Sequence, residues 1–376
     1  AGIIDKVEVH ADFADFLKQT YGDDVKMDLS YGKKEKGKVD LSSPFAFLKI
    51  WAEMLEASSD KSSGDSVAIV YVEGPIVPGR PTPSPFGSQN VAYSDPIRKA
   101  LDKAADDDSV KAVVLRVNSP GGSAVASEII LQATKRVAAK KPFVVSMGNV
   151  AGSGGYYVAC GTDTIFADAA TITASIGVVT GKLATREMWK QLGIHWYPIG
   201  RGENAGMLSS ADMFTKEQRD LMQKFMDDIY ADFKDHVIAA RGKRLKKPID
   251  QLAGGRVFTG QQALELGLVD RIGSLEDAID FVAKQAELDE DDVDVRVIPK
   301  PKNFMEQLME ELSGKKPEEG TIRAAGLPMD LRSQLEPVLQ TLQPHRANAI
   351  RRAILQMEVM QRESVTLMTP EYLVAP

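Results

Sequence analysis

The chain has 376 residues, of which 43% are apolar and 26% charged, and its net charge is −7. This is the composition of a soluble globular domain that can bury a full core, and an acidic chain without a basic stripe is not expected to bind nucleic acid. The single cysteine, Cys160, excludes an internal disulfide and a CxxC metal or redox site, and no run of 18 apolar residues suggests a membrane span.

Changes in composition divide the chain into four parts. Residues 1–57 are expected to form a helix-bearing tail and a connecting helix, and the Ser, Asp, Lys and Gly run of 58–66 is typical of a linker. Residues 67–288 carry strand patterns followed by helical patterns, which indicates an α/β domain. Residues 289–376 change in character and predict a helical extension with a role in assembly or in lining a substrate groove.

Within the α/β domain, a run rich in Pro, Gly and Ser over 79–94 is long enough to form a loop over a site. The strand pattern of Lys111–Val117 then runs into a Pro-Gly-Gly turn at Gly121 and Gly122, before a helical pattern over Ala124–Ala139. Such a turn points successive backbone N–H groups at one place, as an oxyanion hole requires. Taken alone, it is equally typical of a tight connection.

A strand followed by glycines and a helix recurs about 30 residues later. The β-rich run Pro142–Met147 leads to Ser153, which lies among glycines, and an apolar helical pattern follows over Tyr156–Cys160. Free N–H groups at a helix start favour an anion, and flanking glycines let a substrate backbone approach. Ser153 is therefore a candidate nucleophile, although an N-cap in a Gly-rich turn would have the same sequence.

Capping residues predict three helices later in the chain. Thr215 begins a helix that is expected to end near Gly242, and Thr259 and Ser274 begin two shorter ones.

Four segments occur in a fixed order along the domain: Val117–Ser123, Ala151–Tyr157, Thr173–Val178, and Gly255–Gly260 leading to Gly267–Asp270. Together they resemble the signal peptide peptidase A (protease IV) family of serine peptidases. The resemblance implies a crotonase or Clp-protease fold, which is a spiral of ββα units. It also implies Ser153 as nucleophile, an oxyanion hole at Gly121, Gly122 and Gly154, and no cofactor or metal.

The sequence departs from this family at the general base. The family uses a lysine, but the matching position is Ala205, which cannot take a proton. A lysine base must be neutral, and this requires a desolvated site such as a junction between repeats. By resemblance Ser175 is a partner for such an amine, or else only a turn serine. Lys182 and Lys190 are the nearest lysines, and neither is a good substitute.

A truncated internal repeat offers one explanation for the missing lysine. Residues 1–7 echo residues 266–272, and at the same spacing Phe16 falls on Phe281. The family has a long form with two tandem repeats, in which the N-terminal repeat supplies Lys and the C-terminal repeat supplies Ser. The alternative is a change of Lys to Ala in a single-repeat enzyme.

A Ser-His-Asp triad would need a histidine beside Ser153. The chain has four histidines: His10, His195, His236 and His345. His236 lies in a helical run and His195 at the start of a predicted strand, so both are interpreted as packing or surface residues. A Ser–Lys mechanism fits better.

The resemblance implies a serine endopeptidase that degrades released signal peptides or other membrane-derived peptides. An extended peptide would pair with a strand edge near Gly121. The implied partners are the N-terminal repeat and further subunits in a ring. The implied location is the bacterial cell envelope, outside the cytoplasm and associated with the inner membrane through a segment outside this chain.

Two other classes of function stay open. A crotonase-type acyl-CoA enzyme shares the fold and holds an enolate with paired amides, but it normally needs an acid–base group near that hole, and Ser153 followed by two glycines fits poorly. Ala205 favours a catalytically inactive binding or assembly module.

Overall fold

A computed structural model describes residues 13–22, 64–81, 91–289, 293–299 and 366–368. The chain divides into two compact units, residues 1–64 and 65–376. In the first unit the described residues include helix α1 (Phe13–Tyr21). The rings of Phe13 and Phe16 stack at 6.2 Å between centroids on this helix.

The strands of the second unit form two sheets. The larger sheet contains β1 (Ser66–Glu73), β4 (Val110–Ser119), β6 (Phe143–Gly152), β7 (Ile165–Ala167), β8 (Ile172–Ala174), β9 (Val257–Thr259), β10 (Arg271–Ile272) and β11 (Asp294–Val297). The smaller sheet contains β2 (Ile76–Val77), β3 (Ala92–Tyr93), β5 (Gly121–Ser123) and β12 (Thr366–Met368).

The helices of the second unit are α2 (Ser94–Asp106), α3 (Ala124–Lys140), α4 (Gly154–Ala159), α5 (Arg186–Gln191), α6 (Lys216–Arg241), α7 (Ile249–Leu252), α8 (Gly260–Leu266) and α9 (Leu275–Gln285). A 3₁₀ turn over Gly242–Arg244 follows α6. In the described part of the chain, no helix has the length and apolar character needed to cross a bilayer.

The larger sheet runs in the order β10-β7-β6-β4-β1-β11, and each neighbouring pair in it is parallel. The smaller sheet has the order β12-β5-β2-β3. The chain leaves β1 in the large sheet for β2 and the short β3 in the small one and then enters α2, and it follows a similar path from β4 to β5 to α3. These successive ββα units confirm the predicted α/β spiral.

Both faces of the large sheet are buried. Alternate residues of a strand point to opposite faces, so Val70, Leu115 and Val145 pack in one core, while Val114 and Val144 pack in a second core against α9. Burial on both faces is typical of parallel sheets. Each such side chain contributes about 1.5–3 kcal/mol of hydrophobic stabilisation. The rigid central strands thus hold the loops that follow their carboxyl ends.

The predicted helix starts are confirmed. Thr215, Thr259 and Ser274 each accept a hydrogen bond from the backbone three residues on and complete a capping box. Helix α6 ends at Arg241, and Gly242 has a positive φ of 49°.

Two local predictions are wrong. Residues 194–200 do not form the strand expected around His195, because the segment is exposed throughout and pairs with no strand in the described part of the chain. The expected loop over 79–94 ends sooner than predicted. Ala92 donates to the Pro75 carbonyl at 2.9 Å, β3 pairs with β2, and α2 begins at Ser94. Residues 82–90 of that loop lie outside the described residues.

Cys160 is a buried free thiol at the end of α4. Burial raises its pKa to about 12, so the thiol is neutral at physiological pH. In the predicted helical extension 289–376, the described residues after 293 form strands β11 and β12, each paired into a sheet. The remaining residues of the extension lie outside the described part of the chain.

Candidate active site

Ser153 occupies a sharp turn between a strand and a helix. Strand β6 ends at Gly152, α4 begins at Gly154, and Ser153 between them has φ 53° and ψ −113°. A positive φ is uncommon outside glycine and persists only where the surroundings hold it. The Ser153 N–H donates to the carbonyl of Ala174 at 2.7 Å, and its carbonyl accepts from the N–H of Tyr157 at 2.8 Å. In α/β-hydrolases, a strained turn from a strand to a helix presents a nucleophilic serine hydroxyl.

A second turn, at Ala174 and Ser175, accepts the Ser153 N–H, and its backbone is strained as well. Ala174 and Ser175 have φ of 64° and 50°, and both are buried. The N–H of Ser175 donates to the carbonyl of Arg256 at 2.8 Å, and the Ser153 hydroxyl donates to the carbonyl of Gly177 at 3.4 Å. Among the described residues, three of the four non-glycine positions with positive φ lie in these two turns. Such a concentration of strain is typical of functional sites.

The Pro-Gly-Gly turn packs directly against the Ser153 turn. A Cβ added at Gly154 would lie 2.6 Å from Ser127 Oγ and 3.1 Å from both Gly121 Cα and Gly122 N. Gly121 has φ 98°, which side chains rarely adopt. The two glycine motifs, which are about 30 residues apart in sequence, therefore meet beside the serine.

Gly155 and Gly122 also lie too close to the backbone of other segments to carry a side chain. A Cβ at Gly155 would lie 2.6 Å from the Ser119 carbonyl oxygen, and one at Gly122 would lie 2.0 Å from the Ile76 carbonyl oxygen. The sequence interpretation, in which glycines around Ser153 leave room for a substrate backbone, accounts for part of their role only. Here Gly154 and Gly155 leave room for the protein's own backbone.

The backbone N–H groups of the two glycine motifs differ in whether they already donate a hydrogen bond within the protein. The N–H of Gly121 donates to Ser119 Oγ at 3.1 Å, inside the protein. Gly154 is the first residue of α4, so its N–H has no acceptor within the helix. Gly122 lies in β5, and its N atom is near the Gly154 backbone.

Asn118 sets the path of the chain toward Ser153. The register of β4 and β6 shifts between Val117 and Ser119, and at that irregularity Asn118 Oδ1 accepts a hydrogen bond from the Val150 N–H at 3.2 Å. Sequence reasoning placed Asn118 in a motif without giving it a role. An amide side chain just before a Pro-Gly-Gly turn is the signal that was available for it.

A cluster of polar groups joins α3, α4 and α6 behind the site. Glu128 accepts hydrogen bonds from Tyr157 Oη at 2.6 Å and from Gln132 Nε2 at 2.6 Å, and it lies 3.2 Å from His236 Nε2. Burial alone would raise the pKa of Glu128, but hydrogen bonds from His236, Tyr157 and Gln132 outweigh it and hold the pKa at about 2. Because Tyr157 lies one helical turn after Ser153, this cluster anchors the helix that the serine precedes.

Among the described residues, neither His236 nor His195 makes a hydrogen bond with Ser153, as a catalytic triad would require. The ring of His236 packs edge-on against Tyr157 at 5.2 Å, with its Nε2 toward Glu128. His195 is exposed in the irregular segment 194–200. His10 and His345 lie outside the described residues.

Ala205 lies in an exposed turn, away from the hydrogen bonds of Ser153. Its N–H donates to the Gly202 carbonyl at 3.2 Å, and its Cβ faces Gly200. A groove of about 370 Å³ borders this turn, and its walls are mostly apolar: Asn204, Met207, Leu208, Leu221, Met222 and Phe225. In the described part of the chain, no hydrogen bond joins Ala205 to Ser153.

The lysines near this turn do not replace the missing base. Lys182 Nζ donates to the Met207 carbonyl at 2.7 Å and lies 4.3 Å from the Phe214 ring centroid. Partial burial lowers its pKa, but its amine is already engaged as a donor. Lys190 pairs with Glu187 at 3.5 Å on an exposed helix face.

The last of the four motifs has a structural role. Arg241, 1% exposed, donates to Asp270 Oδ1 at 2.7 Å and Oδ2 at 2.8 Å, and also to the Gly267 carbonyl at 3.0 Å. Asp270 also accepts from the N–H of Ile165 at 2.8 Å. Gly267 approaches the Arg244 backbone so closely that a Cβ would lie 1.9 Å from its carbonyl oxygen. This motif locks α6 to the sheet.

Comparison with known proteins gives a consistent result. Residues 135–289 match peptidase family S49. The chain is 38% identical to Protease 4 of Haemophilus influenzae over 258 residues, which cover 68% of the chain and 40% of that protein. It is also 38% identical to a putative protease of Synechocystis over 56% of the chain and 76% of that protein. A putative signal peptide peptidase SppA of Enterococcus faecium is 36% identical over 50% of the chain and 55% of its own length.

Proposed function

Because the chain belongs to peptidase family S49, the signal peptide peptidase A family, we propose that it carries the nucleophile half of a serine endopeptidase site, with Ser153 as the nucleophile. One observation carries this proposal. Ser153 is held at φ 53° in a strand-to-helix turn, and the next residue, Gly154, is so close to the Pro-Gly-Gly turn that an added Cβ would lie 3.1 Å from its backbone. A hydroxyl and converging amides are the parts that acyl transfer requires.

The proposed chemistry proceeds through an acyl-enzyme. Ser153 Oγ attacks the peptide carbonyl and gives its proton to a neutral lysine amine, which then protonates the leaving amine. Water attacks the ester that results, and this step releases the acid and restores the serine. Gly154 and Gly122 are the donors that we assign to the oxyanion, because the N–H of Gly121 is already donated to Ser119.

The lysine is proposed to come from a preceding repeat. The match of residues 1–7 to 266–272 supports this origin, and so does the position of α1, since the same spacing places it on α9. The chain spans 40% of Haemophilus Protease 4 and is thus comparable to one part of a longer protein. A second copy of the domain, with a lysine where this chain has Ala205, would complete the dyad. Ser175, buried in the turn that holds Ser153, is the proposed partner of its amine.

The proposed substrates are extended peptides released from membranes, such as cleaved signal peptides. Such a peptide would pair with β5 on the side opposite β2, where Gly121 and Gly122 offer a backbone without side chains. The corresponding location is the bacterial cell envelope beside the inner membrane. A ring of subunits is proposed as the working assembly.

A second candidate function is a binding or assembly module without catalysis, and Ala205 favours it. Under that alternative the Ser153 turn would retain peptides without cleaving them.

A fluorophosphonate probe tests the two candidates. We expect Ser153 to be labelled when the chain is mixed with, or covalently follows, a lysine-bearing N-terminal repeat, and not in the chain alone. Labelling of Ser153 in the chain alone would overturn the split site. Absence of labelling under every condition, in a protein whose fold is intact by circular dichroism, would favour the binding module.

A further inference from the structure

The described residues 366–368, near the carboxyl end of the chain, lie on the strand that is proposed to bind substrate. Residues Thr366–Met368 form β12 and pair antiparallel with β5, so that Leu367 is opposite Gly122 and Met368 is opposite Gly121. Strand β12 also contacts α4, the helix that begins directly after Ser153. From these contacts we infer that residues 366–368 occupy the peptide-binding strand edge of this site as an internal competitor of substrate.

The topology of the small sheet supports this inference. Its order is β12-β5-β2-β3, so β5 has β2 on one side and would be an edge strand on the other without β12. An edge strand offers unpaired N–H and C=O groups to any extended segment. The backbone position used by β12 is therefore the one that strand addition by a peptide would use.

The composition of the segment suits that position. Thr366, Leu367 and Met368 are a β-branched and two apolar residues, and Pro370 follows shortly after the strand. Strand β5 contains Gly121 and Gly122, so the pairing depends on backbone groups and not on a particular side chain. Any extended peptide of similar character can thus take the same place.

The pairing is short enough to be reversible. Strand β12 has three residues, and each of its hydrogen bonds replaces a bond to water, which leaves a modest net gain. A longer peptide that pairs with β5 and also fills flanking pockets is expected to displace it.

This inference rests on the proposed function, since it concerns the same site. It is tested in the full chain by replacing both Thr366 and Leu367 with proline. Alternate residues of a strand face the ladder, so the double change removes at least one N–H directed at β5. The matched control replaces the same two residues with alanine, which keeps every N–H.

The first measurement is hydrogen exchange of the segment that contains Gly121–Ser123. We expect its amides to be protected in the unaltered chain and in the alanine control, and to exchange faster in the proline variant. Protection that does not differ between the three proteins would overturn the inference. Protection that increases with protein concentration would show that residues 366–368 of a second copy pair with β5. That result would overturn the inference that the segment comes from the same chain.

The second measurement is binding of a fluorescein-labelled peptide with the sequence of residues 363–370, followed by anisotropy. If the segment occupies the edge for about 90% of the time, its release tightens the apparent Kd about tenfold in the proline variant. Equal Kd values in the three proteins would contradict the inference. Neither readout depends on catalysis, so a Ser153→Ala protein that keeps peptidase activity would refute the proposed function and leave these two results standing.

Discussion

The N–H of Ser153 lies 2.7 Å from the carbonyl oxygen of Ala174, and both residues have positive φ, 53° and 64°. Each turn therefore holds the other in a conformation that neither is expected to keep alone. Because Gly121 and Gly122 pack against the same turn through Gly154, the serine, the amides and Ser175 form one unit. Changes that separate these turns should affect reactivity more than changes elsewhere.

Gly154→Ala tests the contact between the turns. The added methyl would lie 2.6 Å from Ser127 Oγ, so we expect a loss of about 1–3 kcal/mol in the free energy of unfolding and loss of Ser153 labelling in the complete protein. Denaturant unfolding measures the first effect. The matched control is Gly206→Ala, which meets nothing within 4 Å and should change stability by at most about 0.5 kcal/mol. Equal stability of the two variants would show that the close contact is not rigid.

Ala205→Lys tests the source of the base. Because Ala205 is exposed, a lysine there would be solvated, with a pKa near its ordinary value of about 10.4, and would be protonated at neutral pH. We expect no gain in fluorophosphonate labelling of Ser153 in the chain alone. Rapid labelling of this variant would favour the loss of an original lysine in a single-repeat enzyme.

Glu128→Gln tests the polar cluster behind α4. The folded-state pKa of Glu128, about 2, lies below its ordinary value of 4.5. The carboxylate therefore stabilises the fold above about pH 4.5, and this contribution is lost as the pH falls toward about 2. In denaturant titrations we expect the unaltered chain to lose more stability over that interval than Glu128→Gln. Glu203→Gln, at an exposed position, serves as the control. If the stability of Glu128→Gln fell with pH as steeply as that of the control, the stabilising role assigned to the Glu128 carboxylate would be contradicted.

Asp270→Ala tests the buried ion pair. It leaves Arg241, 1% exposed, without its carboxylate, and we expect a loss of about 3–5 kcal/mol in the free energy of unfolding. Asp163 pairs with Arg244 at 3.3 Å, but its side chain is 95% exposed. Asp163→Ala should therefore cost at most about 1 kcal/mol. Similar losses in the two variants would mean that burial does not govern the strength of these pairs.

Local patterns in the sequence predicted much of the fold. Apolar runs located β4 and β6. Thr215, Thr259 and Ser274 located three helix starts, because a cap depends on residues within one turn of it. The strand expected near His195 is absent because a strand needs a partner, and partners are set by the rest of the fold.

The site was less accessible to sequence reasoning. Ser153 and the glycines stood out as motifs, but the strain at Ala174 and Ser175 and the link from Asn118 to Val150 depend on contacts between distant segments. The pairing of Thr366–Met368 with β5 joins residues more than 200 positions apart, and no local pattern indicates it. The origin of the lysine base stays a prediction.

Ser153→Ala in the complete protein, with the lysine-bearing repeat present, tests the central claim most directly. The measurement is hydrolysis of a fluorogenic signal-peptide substrate, with Ser146→Ala, which removes a buried hydroxyl from the middle of β6, as the matched control. We predict that Ser153→Ala lowers cleavage to background with an unchanged circular dichroism spectrum, while Ser146→Ala stays active. Cleavage above background by a folded Ser153→Ala protein would contradict the assignment of the nucleophile.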